Sequence, residues 1–385
     1  MKKLLIMVAI LMFATTAWAV DVNLSGDYTF RGSLIDNDGL NDKDEAYTYY
    51  NQDMNVLAKF IVDDTTSVTT RFRLLDYNWE GNYPDDDMVG IERAWMDYKV
   101  SDATTLSVGL MNGATWATAF GDDITGRQRV KVVNKSDFGV VLGVLEKFSD
   151  PAAAVDGLAV AEDTEWNNIA VGFIKTVGDI SVKPLLYYLD NGADGVKPWI
   201  YFILGLNGNF GDLGFESEYY LQSKKYDDSD SDTAAFGLYV NGWMDLDPFK
   251  VGAKFAYGST DDPSNGEEVG FDFDDDFDLT LYLSDWAGFG GGDGITGMTA
   301  LQGYVDWTIS DELSASGSLT LVSSNWDTGN FADASATEID GYLNYKLTDS
   351  LTYCLGLGMA SIEFDVDGID DVSGMRAYHK LALTF

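Results

Sequence analysis

Apolar and polar side chains alternate along most of this 385-residue chain, in runs short enough to be strands. Val22, Leu24, Gly26, Tyr28 and Phe30 step with polar neighbours, and Phe72 and Leu74 step with Arg71 and Arg73. Residues 301–307, 339–345 and 375–385 repeat the pattern. A period of two marks a β-strand with two different faces, and about ten residues is the length a tilted strand needs to cross a bilayer.

The breaks between runs are more decisive. Eight are short and carry Asp: Asp63-Asp64, Ser101-Asp102, Ser136-Asp137, Gly178-Asp179, Gly211-Asp212, residues 245–248, Ser310-Asp311 and Thr348-Asp349. Asp, Ser and Gly accept the backbone angles of tight hairpin turns. Longer, acidic connections lie between them, among them residues 31–45, 150–163, 227–233, 259–297 and 365–373. Tight turns on one rim and long loops on the other are the connectivity of a transmembrane barrel. Eight tight turns, with both chain ends on the same rim, predict 18 antiparallel up-and-down strands. Residues 277–283 read either as an extra strand or as part of an inserted loop, and 16 strands is the alternative count. A soluble β-sandwich of this length would need two domains and a linker, and more charge on its solvent-facing strand surfaces.

The first residues read as a targeting signal. Lys2 and Lys3 precede an apolar run, and Ala17-Trp18-Ala19 offers a small-x-small cleavage site. The run is shorter than the roughly 20 residues of a membrane helix, so residues 1–19 are expected to be a cleaved secretory leader and residues 20–385 a single barrel domain. The formal net charge of −39 argues against nucleic acid as a partner, since phosphates would be repelled. A hydrophobic content of 46% and an aromatic content of 14% exclude disorder. Cys354 is the sole cysteine, so no intramolecular disulfide forms, and its place in an alternating run makes it a small wall residue.

Charge assigns the faces. A Lys or Arg on the lipid side at mid-membrane costs about 2–4 kcal/mol. Lys59, Arg71, Arg73, Arg93, Lys99, Arg127, Arg129, Lys131, Lys250, Lys254, Lys346, Arg376 and Lys380 are therefore expected to point inward. Phe60, Phe72, Leu74, Met96, Tyr98, Val130 and Val132 have the opposite parity and are expected to meet lipid. Lys99 and Lys346 lie near strand ends, where a lysine can instead snorkel to the headgroups. Arg71, Arg73 and Arg93, with Arg127, Arg129 and Lys131, form the candidate basic pore wall.

The A-x-A leader, the alternating last strand ending at Phe385, and the stretches 93–99 and 337–345 resemble Gram-negative outer-membrane porins. That resemblance implies a passive water-filled channel for small hydrophilic solutes and ions, in the bacterial outer membrane among its lipid and lipopolysaccharide. It further implies a homotrimer and a terminal Phe385 read by the barrel-assembly machinery. In porins the third external loop folds into the lumen, its acids facing basic wall residues. The third long connection here is residues 112–126, between the alternating runs 106–111 and 127–133. By position Asp122 and Asp123 match those acids, and Trp116 and Phe120 would pack the loop against the wall. The plain alternative is an ordinary outward loop. The arginine cluster also admits a channel selective for anions or carboxylates, and the acidic loops admit a structural or adhesive barrel.

Acid runs at 227–232, Asp261-Asp262, Glu267-Glu268 and 272–278 are expected in external loops, most simply as a solvated face. Asp272, Asp274, Asp275 and Asp276 are the candidates for loop-bound Ca2+ or Mg2+, although their spacing is not that of an EF-hand. No resident cofactor is expected. Residues 292–297 fit G-x-G-x-x-G but lack the following helix of a dinucleotide site. His379 is the only histidine and is expected on the outer face, which leaves no His-based metal cluster, and among 63 acids no single carboxylate pair marks a catalytic site.

Overall fold

The computed structural model describes residues 20–36, 46–79, 89–112, 115–121, 126–150, 164–190, 196–226, 233–261, 269–271, 273, 277, 279–286, 297–326, 332–366 and 368–385. The first strands are β1 (Asp21–Asp36), β2 (Tyr47–Ile61), β3 (Thr66–Asn78), β4 (Gly90–Lys99), β5 (Thr104–Asn112), β6 (Gly126–Ser136) and β7 (Gly139–Asp150). They continue as β8 (Thr164–Val177), β9 (Ile180–Asp190), β10 (Val196–Phe210), β11 (Leu213–Tyr226), β12 (Thr233–Leu246) and β13 (Phe249–Gly258). Two residues each make β14 (Thr260–Asp261) and β15 (Val269–Gly270), which pair only with each other. The chain ends with β16 (Met298–Thr308), β17 (Leu313–Ser324), β18 (Ser335–Lys346), β19 (Leu351–Glu363) and β20 (Val372–Thr384).

Eighteen of these form one antiparallel sheet in which each strand pairs with the next, β13 pairs with β16, and β1 pairs with β20. The sheet therefore has no free edge, and every strand finds its hydrogen bonds within the barrel. The expected count of 18 holds, and the alternative of 16 is excluded. At the seam Gly26 and Phe385 exchange both backbone bonds, at 2.8 and 3.0 Å, and the Phe385 ring lies over Gly26, where a Cβ would have no room.

All eight short breaks are tight turns. Asp63 shows why Asp suits them: its carboxylate accepts the Thr65 and Thr66 N–H groups, both at 2.8 Å, closing the turn between β2 and β3. Gly178 and Gly211 supply the positive φ that two-residue turns require, at 61° and 64°.

The apolar packing is divided between the two faces. Val108, Val130, Val171, Leu186, Val240 and Leu301 are exposed on the outer face, as a lipid-facing surface demands. Inside, one apolar row crosses six strands in register: Tyr239, Ala256, Ala300, Val322, Ala336 and Ile362. All six are buried, so something covers them within the lumen.

Candidate functional site: a lumen filled from one side

The cover comes from the connection between β13 and β16. Phe271, Phe273, Phe277, Leu279, Tyr282 and Leu283 are buried against the alanine-rich row, in one cluster with Phe120. The acidic composition of residues 259–297 predicts an external loop. Its described part instead folds into the barrel, because alternating Phe and Leu side chains there bury more apolar surface than an outward loop could. Residues 277–283 are therefore an inserted segment and not an additional strand, ending in a single helical turn, Leu283–Trp286. Asp272, Asp274, Asp275 and Asp276 lie outside the described residues. Among the described residues no group of three or more His, Cys, Asp or Glu side chains could hold a metal.

Polar clamps fix this segment. Glu338, fully buried on β18, accepts the N–H groups of Leu281, Tyr282 and Leu283 at 3.0, 2.7 and 2.8 Å. Arg376 on β20 donates to the Leu281 carbonyl at 3.1 Å, and Gln302 on β16 donates to that of Leu279. Hydrogen bonds to a charged partner contribute about 1.5–3 kcal/mol each, so the clamp competes well with hydration. Arg376 thus has the inward parity expected of it but is buried beneath the inserted segment, as a clamp.

The connection between β5 and β6 enters as well. Trp116 donates from its indole nitrogen to the Lys183 carbonyl at 2.9 Å. Thr118 gives its N–H and hydroxyl to Glu218 at 2.8 and 2.6 Å. The loop can lie flat because the wall beneath it is glycine: a Cβ at Gly172 would strike Trp116, and one at Gly205 would strike Ala117. Phe120, fully buried, packs on Phe271, Phe273 and Phe277. Asp122 and Asp123 lie outside the described residues.

Among the described residues, the side chains in the apolar clusters with the two insertions come from β7 to β20, with Ile35 on β1 and Tyr47 and Tyr49 on β2, and none comes from β3 to β6. The basic cluster stands there. Arg71 is paired with Glu92 at 2.9 Å and lies 4.0 Å from Asp27. Arg73 bonds Asp76 at 2.9 Å and reaches Glu92 at 3.4 Å, and Arg93 lies 3.7 Å from Glu92. One carboxylate therefore sits among three guanidiniums. Two bulges make this possible. The register slips at Leu74 on β3 and at Glu92 on β4, and each slip carries one further residue to the inner face. Strict alternation puts Asp76 and Glu92 on the lipid side, so neither is found by parity alone. Leu74, expected to face lipid, falls in the bulge itself.

On β6, Arg129 is ion-paired with Glu146, which also accepts from Asn168 at 3.1 Å and Tyr187 at 3.0 Å. The same guanidinium donates to the Asn112 carbonyl at 3.1 Å and so fixes the root of the loop before β6. Arg127, Arg129, Lys224, Tyr187, Tyr201 and Trp116 are among the lining of a chamber of about 390 Å³. Lys131 lines another, of about 600 Å³, with Lys59, Lys99, Lys135 and Asp97. Asp97 is held by Trp95 at 3.0 Å and Ser107 at 2.6 Å. Cations thus mark the wall from the loop-bearing rim toward the turn-bearing rim. His379 is on the outer face, among the rings of Phe30, Tyr50 and Tyr353.

Crystal structures of Pseudomonas aeruginosa proteins share this architecture over nearly the whole chain. OpdO matches with a TM-score of 0.63 at 12% identity, covering 95% of this chain and 97% of that one. The outer membrane protein OpdK matches at 0.60 and 12%, covering 94% and 99%. OpdK crystallised with vanillate matches at 0.58 and 12%, again covering 94% and 99%. No protein-family model matches the sequence, and no curated protein is significantly similar to it. The likeness is therefore one of fold: this chain is a closed 18-stranded barrel of the kind found in those outer-membrane proteins.

Proposed function

We propose that this protein is a passive outer-membrane channel of the porin type, carrying small hydrophilic solutes and ions through its lumen. One observation carries the reading most directly. Among the described residues the two inserted segments pack with side chains of β7 to β20, β1 and β2, and Arg71, Arg73 and Arg93 stand on β3 and β4, which contribute nothing to that packing. An 18-stranded barrel leaves an aqueous passage unless it is plugged, and here the filling is one-sided. We assign its constriction to residues 112–126, held by Trp116 and Phe120 and supplying Asp122 and Asp123 as its acids, and to the wall of Arg71, Arg73, Arg93, Arg127, Arg129 and Lys131. Acids facing cations across a narrow gap select permeating ions. The chain acts as a channel and not as an enzyme.

The basic wall favours a second, narrower reading, a channel selective for organic anions. OpdK, similar in fold, was crystallised with vanillate, a small aromatic carboxylate. The chamber beside Trp116 offers Arg127, Arg129 and Lys224 with three tyrosines, which suits such an anion.

Residues 1–19 export the chain, Phe385 presents the last strand to the barrel-assembly machinery, and homotrimers form among outer-membrane lipid and lipopolysaccharide. Reconstitution in planar bilayers tests the channel. Ohmic steps with anion preference are expected. Block by added vanillate selects the narrower reading, and unblocked current selects general diffusion. Folded barrel that conducts nothing would refute both.

A further inference from the structure

β12 and β13 stand half-way round the eighteen-stranded barrel from β3 and β4, so the wall they share with β11 and β16 lies across the lumen from the arginine cluster. Its inward residues change character at the edge of the inserted segment. Tyr239, Ala256 and Ala300 are covered. One step nearer the tight turns the row is Asn241, Lys254 and Gln302, and the next is Trp243, Gly252 and Tyr304. The last is Asp245, Lys250 and Asp306. Glu216, Asn241, Trp243, Lys254, Tyr304 and Asp306 are among the lining of a chamber of about 400 Å³, bounded on one side by Leu279 of the inserted segment.

The aromatic rings lie close to the wall because glycines leave them room: a Cβ at Gly214 would strike Trp243, and one at Gly252 would strike Tyr304. The Tyr304 hydroxyl donates to the Asn241 side-chain oxygen at 3.1 Å, and the Asn241 amide donates to Glu216 Oε1 at 3.1 Å. Glu216 Oε1 also accepts the Tyr239 hydroxyl at 3.1 Å. That chain fixes the amide and leaves Glu216 Oε2 without a partner among the described residues. Three further groups are in the same condition. The Lys254 ammonium has only the Tyr304 ring, 5.5 Å from its centre. Asp306 has neither hydrogen bond nor ion pair, and the Trp243 indole N–H has no acceptor. Lys250, by contrast, is held by Asp245 at 3.5 Å and lies 5.4 Å from the centre of the Trp243 ring.

We propose that this chamber is a binding subsite for a neutral polyhydroxylated solute of the kind of a simple sugar. A hydroxyl donates one hydrogen bond and accepts two. Several on one ring can therefore donate to Asp306 and Glu216 and accept from Lys254 and Trp243 together, while the C–H groups of the same ring meet the aromatic side chains. A few convergent polar groups around apolar surface are what orient a small ligand. An organic anion would meet two unengaged carboxylates here against one unengaged ammonium, and an organic cation would meet Lys254. The subsite lies in the lumen and rests on the channel reading, to which it adds a solute that the basic wall does not select.

Saturation-transfer NMR with D-glucose, on the folded barrel in a detergent without a sugar headgroup, tests it. Glucose resonances are expected to saturate, and neither choline nor vanillate is expected to displace the sugar. Asp306→Ala and Lys254→Met each remove one charged partner and are expected to weaken glucose binding about tenfold, equivalent to about 1.4 kcal/mol. Asp306 is exposed and holds no other side chain, so its truncation leaves the barrel folded. Three results would overturn the proposal: glucose that does not saturate, variants that bind it as the wild type does, or glucose displaced by choline or vanillate at lower concentration. Absence of conductance would instead strike at the channel reading and leave the NMR measurement free to judge the subsite.

Discussion

Phe120, from the connection after β5, stacks on Phe271, from the connection after β13, with ring centroids 5.1 Å apart and planes 28° from parallel. Phe273 and Phe277 surround the same ring at 5.1 and 5.2 Å. Two segments that leave the wall far apart in sequence are thereby braced against each other inside the lumen.

Phe120→Ala would remove that brace. Truncating a buried Phe costs about 3–5 kcal/mol, here charged to the loops and not to the barrel, whose strands keep their hydrogen bonds. Single-channel recordings should show a larger mean conductance and more frequent partial closures, with an unchanged β-sheet spectrum. Conductance and noise like the wild type's would mean that the two segments hold their positions independently.

Glu338→Gln tests the second attachment. The carboxylate accepts three backbone N–H groups with two oxygens. An amide replaces one oxygen with a donor that faces an N–H group, so at least one buried bond is lost and a repulsion is added. Protease added to the folded barrel should cut within residues 271–283 at least about tenfold faster, as a loss of about 1.4 kcal/mol of local stability implies. Equal cutting rates would show that aromatic packing alone retains the segment.

Much of this fold was legible because each turn announces itself chemically. Asp63 and Gly178 do in space what their residue types imply, and alternation then sets the parity of whole strands. The inserted segment was harder. Acidic residues at 261–262, 267–268 and 272–278 dominate its composition and suggest water, while Phe271, Phe273, Phe277, Leu279 and Leu281 carry the burial. A signal did exist on the far side of the contact: Ala256, Ala300, Ala336 and Ala360 have lumen parity, and small apolar residues in an aqueous pore imply a lining that covers them. Glu92 and Asp76 were out of reach for another reason, since a bulge leaves no mark in a pattern read two residues at a time.

Neutralising the wall arginines addresses selectivity. Arg71, Arg73 and Arg93, changed together to Gln, should move the zero-current potential in a salt gradient toward cation preference. The shift should be largest at low ionic strength, because at 0.1 M the screening length is about 10 Å and shortens as salt rises. If the potential does not move, these side chains lie away from the narrowest part of the path.

Glu92→Gln should act with the opposite sign. The carboxylate lies 2.9 Å from Arg71, 3.4 Å from Arg73 and 3.7 Å from Arg93, so removing its charge leaves three guanidiniums with less compensation. Anion preference should rise while the arginines, now repelling one another, become less ordered. The two variants together separate field from architecture. Were both to reduce anion preference, Glu92 would act by holding the arginines in place and not by offsetting their charge. An opposite response to the triple variant means that the bulge on β4 sets the strength of the field by bringing one acid into a basic wall.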